Sequence, residues 1–337
     1  MKLFLALVAA AALPPTILAV SWTLGPARSV AVPPAVSGTA FPASAFARMT
    51  DAGATLAFWS SAGVTWRTEA PNEPFPTKTN PATPVLGPGV ARYDSSGSFI
   101  LAVEADVGGG LVGFTRSESR NWTCSDCNIS WTSGAIVRST DAGVTWRTDG
   151  LAIWNEPPSC CPSNPDLVGA RFDSVVRNRT AGEGAGFLAY GGCSAFRSLD
   201  PTGAPSSWMR WFDGHFGSGF TEPGIDGMSS CLPYPFRYDA VRPVVHYNDY
   251  LSRYVMVHGV TAAAEAGSLY ITTSTDGTAW EASELLLSPE APYTALSWGQ
   301  VVGPDGDASS QAATLIYAAA ADGSSADFIA RAITFTQ

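Results

Sequence analysis

Apolar residues along this chain come in short runs broken by Gly, Pro, Asn, Asp and Ser. Ala54-Thr55-Leu56-Ala57-Phe58-Trp59, Ser98-Phe99-Ile100-Leu101-Ala102-Val103-Glu104 and Gly134-Ala135-Ile136-Val137-Arg138 have the length and the β-branched or aromatic content of strands. Ala170-Arg171-Phe172-Asp173-Ser174-Val175-Val176, Ser268-Leu269-Tyr270-Ile271-Thr272, Ala313-Thr314-Leu315-Ile316-Tyr317 and the closing stretch Phe328–Phe335 read the same way. Helical periodicity is hard to find. Trp, Tyr, Phe, Thr and Val abound, and 33 Gly and 25 Pro punctuate them. The pattern predicts an all-β chain.

A short phrase recurs between these runs. Ser139-Thr140-Asp141-Ala142-Gly143-Val144-Thr145-Trp146 is the fullest copy, and Ser274-Thr275-Asp276-Gly277-Thr278-Ala279-Trp280 is one residue shorter. Trp59-Ser60-Ser61-Ala62-Gly63-Val64-Thr65-Trp66 keeps the Gly, Thr and Trp but has Ser61 in the Asp position. Ser198-Leu199-Asp200-Pro201-Thr202-Gly203 keeps the start, with Trp208 after an insertion. The Ser and Asp side chains can bond backbone N–H groups of their own turn, and the Gly supplies a left-handed position. Each copy is therefore expected to be a hairpin turn, with Asp141 and Asp276 as turn-makers and not catalysts or metal ligands. The third positions, 61, 141, 200 and 276, are by subtraction about 80, 59 and 76 residues apart, which suits one four-stranded blade per copy.

The phrase S-x-D-x-G-x-T-W resembles the Asp-box of sialidase-like β-propellers. A second stretch, Tyr247-Asn248-Asp249-Tyr250-Leu251-Ser252-Arg253-Tyr254-Val255-Met256, is similar to one in secreted five- and six-bladed glycoside-hydrolase-like propellers. There Asn248 and Asp249 are expected to make a turn, with Tyr254 and Met256 facing a core. The resemblance implies a single propeller over residues 21–337. Five blades are expected at about 41–80, 88–155, 167–212, 238–288 and 292–337. A sixth would need more chain at the N-terminal end. Residues 105–133 read as a long insertion in the second blade, and residues 21–40 as a leader or a strand that closes the ring.

Composition narrows the setting. Met1–Val20 has the layout of a secretory signal: Lys2, an apolar Leu3–Ala12, then small residues at Ala10–Ala12 and Ala19. Pro14 and Pro15 interrupt the run, and no other apolar stretch approaches the ~20 residues that span a membrane. The net charge of −10, with 19 Lys and Arg and no basic run, argues against a nucleic-acid partner. Cys124, Cys127, Cys160, Cys161, Cys193 and Cys231 are an even set behind a signal, which points to disulfides. The first four can also be read as zinc thiolates, a reading that an oxidising compartment disfavours. Sequons at Asn121, Asn128 and Asn178 fit a secreted glycoprotein. No cofactor motif, phosphate loop, nucleophile elbow or metal-binding helix is present, so neither cofactor nor metal is expected.

Propellers bind ligands where their innermost strands converge. Asp173, opening such a strand, and Glu104, ending a strongly apolar one, are the candidate catalytic carboxylates. Glycoside hydrolysis commonly uses two, one as acid and one as base or nucleophile. Each can equally serve the fold by pairing with an arginine such as Arg171 or Arg92. Arg171, Asp239, Arg242 and His246 are candidate substrate-binding residues. So are Trp211 and His215, in a stretch crowded with Trp208, Phe212, Phe216, Phe220 and glycines, whose aromatic faces could stack on sugar. Sialidases carry three arginines for the sialate carboxylate, a Tyr–Glu pair and an F/Y-R-I-P phrase; here Phe46-Ala47-Arg48-Met49 lacks the Ile-Pro. The sequence thus points to a secreted carbohydrate-active propeller, most readily a glycoside hydrolase. The alternatives are a non-catalytic glycan- or protein-binding propeller and an exo-sialidase.

Overall fold

The computed structural model describes residues 20–30, 43–49, 54–61, 63–71, 81–89, 94, 96–119, 131–153, 171–180, 186–192, 194–212, 214–217, 232, 240–260, 267–303, 308–321 and 326–337. They form five antiparallel blades in a ring. Two N-terminal strands, β1 (Ser21–Leu24) and β2 (Arg28–Val30), precede blade 1, which is β3 (Ala43–Met49), β4 (Ala54–Ser61), β5 (Val64–Pro71) and β6 (Thr83–Leu86). Blade 2 is β7 (Gly97–Ala105), β8 (Leu111–Ser119), β9 (Trp131–Ser139) and β10 (Arg147–Ile153). Blade 3 is β11 (Ser174–Arg177), β12 (Phe187–Gly191), β13 (Ser194–Ser198), β14 (Trp208–Phe212) and a short β15 (His215–Phe216). Blade 4 is β16 (Ala240–Asn248), β17 (Arg253–Val260), β18 (Leu269–Ser274) and β19 (Glu284–Leu287). In blade 5, β20 (Ala295–Val302) is innermost, and β21 (Ala308–Ser309) crosses over to pair in parallel with β16. β22 (Ala312–Ala320) and β23 (Asp327–Thr336) follow.

The ring closes by joining the two ends of the described chain. β1 pairs antiparallel with β23, so residues 21–24 supply the outer strand of blade 5. Leu111–Ser119, expected within an insertion, is instead the second strand of blade 2. The expectation failed because that run mixes Thr, Arg, Ser and Glu with its apolar residues, although Leu111–Thr115 is buried on both faces. The cysteines, Asn121, Asn128, Asp239, Phe220 and Arg92 lie outside the described residues.

The core lies between blades. Phe114, Ile136 and Ile153 of blade 2 meet Phe172, Phe187 and Trp208 of blade 3. Equivalent apolar clusters fill the other four interfaces. A fully buried large side chain contributes about 1.5–3 kcal/mol, so aromatic residues such as Trp59, Trp208 and Phe172 dominate what holds the blades together.

The repeated phrase explains how neighbouring blades lock. In blade 2, Asp141 Oδ1 accepts the Thr145 N–H at 2.9 Å, Asp141 Oδ2 accepts the Thr145 hydroxyl at 2.6 Å, and Ser139 Oγ accepts the Gly143 N–H at 2.8 Å. Ser274–Gly277 and Ser198–Thr202 repeat the pattern, each between the third and fourth strands of its blade. The glycine serves the preceding blade as well. A Cβ at Gly143 would stand 2.6 Å from Phe58 on β4, and one at Gly277 would stand 2.6 Å from Leu188 on β12. The turn is thus a staple between blades. The copy at 59–66 differs: it lies between the second and third strands of blade 1, at the other end of the ring. No Asp is needed there, because Ser60 and Thr65 bond each other at 2.8 Å and Gly63 makes the turn at φ 81°.

Candidate functional site: the upper mouth of the channel

All five inner strands (β3, β7, β11, β16, β20) run the same way through the ring, so each begins at one end, here called upper, and finishes at the lower. The Asp-containing turns join third to fourth strands and lie at the lower end. Asp173 immediately precedes β11 and stands at the upper end. It is 4% exposed, accepts from Arg171 Nε at 3.0 Å and accepts the Gly192 N–H at 2.9 Å.

Two further upper-end residues occupy left-handed backbone. Arg242 on β16 has φ 52° and Trp298 on β20 has φ 55°. Each sits at a break in strand register, between Val241 and Val244 and between Ser297 and Gln300. Such bulges re-aim side chains. Here they bring the Arg242 guanidinium 5.3 Å from the centre of the Trp298 ring, a stabilising cation–π geometry. Burial lowers the Arg242 pKa, the like charges of Arg116 and Arg171 lower it further, and Asp173 opposes them. Arg116, on β8, pairs through Nη2 with Glu118 at 2.9 Å, while its buried Nε makes no hydrogen bond. Ser297 Oγ and the Trp298 indole N–H are also buried without a hydrogen-bond partner. Three such atoms at one end are notable, because buried polar groups are normally satisfied.

Glu104 lies elsewhere. It ends β7 at the lower side, is 6% exposed and faces Arg177 Nε at 3.7 Å. Arg177 is four residues beyond Asp173, on β11, so Glu104 meets that strand roughly 13 Å along from the Asp173 backbone. Catalytic carboxylates of glycosidases stand about 5–9.5 Å apart. Among the described residues, Asp94, buried just ahead of β7 on the neighbouring blade, and Glu118, opposite Gly97 on β8, share the upper end with Asp173. Sequence reasoning missed Asp94, although Tyr93-Asp94 before a strand matches Phe172-Asp173 before β11.

His246 lines a channel cavity of about 50 Å³ together with Glu104, Gln300, Val175 and Val245. Ligand pockets measure about 300–1,000 Å³, so this space suits water and not a sugar ring. Burial pushes the His246 pKa down to about 3, and its Nε2 has no hydrogen-bond partner. Trp211 and His215 stand on β14 and β15, the outer strands of blade 3. Trp211 meets Phe216 edge-on at 5.2 Å and packs toward blade 4, while His215 is exposed. The aromatic stretch is therefore a peripheral hairpin, well away from the channel axis. Asn178 of the third sequon is buried, its Oδ1 accepting from the Thr180 hydroxyl at 2.9 Å. Among the described residues no cluster of His, Cys, Asp and Glu is arranged to hold a metal, and no helix is long and apolar enough to cross a membrane.

No family model and no curated protein matches the sequence. Similarity appears at the level of solved structures. A Dyadobacter fermentans protein of unknown function aligns over 94% of this chain and 99% of its own, with TM-score 0.51 and 11% identity. The α-L-arabinofuranosidase of Podospora anserina, solved with cellotriose, aligns over 94% and 96% with TM-score 0.50 and 9% identity. The exo-β-1,3-galactanase of Phanerochaete chrysosporium, solved with galactose, covers 92% of this chain and 64% of its own, with TM-score 0.50 and 10% identity. At these identities the likeness is one of fold: this chain shares the five-bladed propeller found in glycoside hydrolases.

Proposed function

We propose that this chain is a secreted glycoside hydrolase whose substrate binds at the upper mouth of the channel. One observation carries the reading. Asp173 shares that end with two left-handed, bulged residues on neighbouring inner strands, Arg242 and Trp298. Strained backbone of this kind costs of order 1–3 kcal/mol per residue and clusters at functional sites. The arabinofuranosidase and galactanase among the structural neighbours support a carbohydrate substrate. Asp173, fixed by Arg171 and the Gly192 N–H, is presented as an acceptor, the role of a base or of a group that orients one. Asp94 on the adjacent blade is the partner carboxylate. Glu104, which meets β11 at Arg177, four residues beyond Asp173, supports that role less well than Asp94 does.

A non-catalytic binding propeller is the second reading. It is favoured by the tight engagement of Asp173, which serves the fold even without chemistry. An exo-sialidase draws least support: Arg171 is committed to Asp173, and that leaves no three-arginine clamp for one carboxylate among the described residues. The deciding experiment is polysaccharide digestion by the protein and its Asp173→Asn and Asp94→Asn variants. Loss of product release in both supports the hydrolase. Full activity in both variants contradicts the site, and binding without release moves the chain to the non-catalytic class.

A further inference from the structure

The connection from β19 to β20, residues 288–294, lies at the upper end of the ring, outside the mouth. Where it passes over blade 5 there is a cavity of about 60 Å³. Leu287, Leu296 and Ile329 supply apolar walls, and Tyr317, Arg331 and Glu290 supply polar groups. Tyr317 is buried, whereas Ser288, Glu290 and Ala291 are exposed, so the cavity has a floor and an open rim. Tyr293, also on its lining, is five residues ahead of Trp298. Five residues reach at most roughly 18 Å, so the cavity is a short distance outward from the mouth on the same end.

Its polar groups are fixed by one another. Arg331 Nε donates to the Tyr317 hydroxyl oxygen at 3.1 Å, and Arg331 Nη2 donates to Glu290 Oε2 at 3.0 Å. Tyr293 donates its hydroxyl to Asp327 at 2.9 Å. The Glu290 carboxylate offsets the guanidinium charge, so the cavity favours a neutral group over an anion. Donor capacity remains: the Tyr317 oxygen accepts from Arg331, which leaves its own proton to give, and the guanidinium has five N–H bonds, of which these contacts use two. Apolar walls beside surplus donors suit a small carbon group that carries one oxygen.

We propose that this cavity is a distal subsite that receives the hydroxymethyl group of a neutral hexose, in a glycan chain lying across the upper end. This rests on reading the mouth as the glycan site and adds what the chain carries away from the reacting bond. The methylene packs on Leu296 and Ile329, and the hydroxyl oxygen accepts from Tyr317 and Arg331. A whole sugar ring is too large for the cavity, so the ring stays at the open rim beside Glu290. A pentose leaves the cavity empty, and a uronic carboxylate meets Glu290 with no uncompensated cation to receive it.

Methyl β-D-galactopyranoside and methyl β-D-glucopyranoside, each titrated against its 6-deoxy analogue by ligand-observed NMR, probe the cavity directly. The parent of at least one ring is expected to bind about three- to tenfold more tightly than its 6-deoxy form, the worth of one hydrogen-bonded hydroxyl. Tyr317→Phe and Arg331→Gln each remove a donor and should reduce that preference, to none in the double variant. Thermal melts separate loss of the fold from loss of the cavity, and Tyr317→Phe keeps the buried ring in place. Equal binding of parent and analogue, no binding of either ring, or a preference that survives the double variant would overturn the inference. A preference lost with the two donors, in a protein that cleaves no polysaccharide, leaves this inference standing and removes the hydrolase. Cleavage lost in Asp173→Asn, by a protein indifferent to the 6-hydroxyl, does the reverse.

Discussion

At the lower end of the ring Asp141 satisfies the Thr145 N–H and hydroxyl from four residues away, and Ser139 satisfies Gly143. At the upper end Arg242 depends on Trp298, 56 residues on by subtraction, and Arg116 Nε and Ser297 Oγ are left without hydrogen bonds. The lower turns are locally written and complete their own bonding; the upper end is assembled from four blades and leaves buried polar atoms open. A turn that completes its own bonding is a structural part. Buried polar atoms that remain open, on backbone held in sparsely populated conformations, are the features on which the proposal of an upper binding site rests.

The sharpest way to break this comparison is catalytic. Asp173→Asn is expected to lower kcat/KM on the cleaved glycan by ~10²–10⁴, whereas Asp141→Asn should leave kcat/KM within about twofold, the scatter expected when no group at the reacting bond is lost. Steady-state assays on the two variants check it, and comparable losses in both would erase the distinction.

Acid stability probes the channel between the two ends. The folded His246 pKa, about 3, is below the unfolded 6.5, so the unfolded chain takes up a proton that the native one refuses. Stability therefore falls as pH drops from about 6.5 toward 3, by roughly 5 kcal/mol for this residue alone. Denaturant titrations of the protein and His246→Gln across that window should show a shallower fall in the variant. Parallel curves would mean that the channel hydrates His246 better than its burial implies.

Backbone contact at the upper rim is next in size. A Cβ at Gly97 would stand 2.3 Å from Gly63 Cα, at a residue with φ 143°. Gly97→Ala is expected to cost about 2–4 kcal/mol, read from chemical unfolding. A cost below about 0.5 kcal/mol, the range of an ordinary surface substitution, would show that blades 1 and 2 pack less tightly.

The smallest effect is at Asp141. Its pKa is lowered to about 2, first by the Thr145 hydroxyl, then by the Thr145 N–H and Ser139. Its contribution is present above the ordinary value of 3.8 and is lost as pH falls through about 2. Asp141→Asn should lower Tm slightly at neutral pH and leave it unchanged near pH 2.

What could be read from the sequence follows the same division. The Asp-containing turns were legible because Ser, Asp, Gly and Trp act within a few residues of one another. The five-blade count followed from those turns and the runs between them, whereas ring closure was one of two readings of residues 21–40, which carry little pattern of their own. Tyr254 and Met256 were legible as core residues, and both are fully buried. The second strand of blade 2 was not, since Leu111–Ser119 owes its place to partners on β7 and β9. The copy at 59–66 misled, because Gly, Thr and Trp also suit a two-residue hairpin. At the site, Asp173, Arg171 and Arg242 were nominated from their place before or at the start of inner strands. Arg116, Trp298 and Asp94 were not, because neither a bulge nor a neighbouring blade leaves a signature in the chain. Glu104 looked equivalent to Asp173 because both flank apolar strands, but one ends its strand and the other precedes it.

The most direct test is a crystal structure of the Asp173→Asn variant with the oligosaccharide that it no longer cleaves. Sugar density at the upper mouth, between residue 173, Arg242 and Trp298, is the predicted result. Sugar bound at the peripheral hairpin of Trp211 and His215, or at the lower end beside Glu104, with the upper mouth empty, would contradict the account.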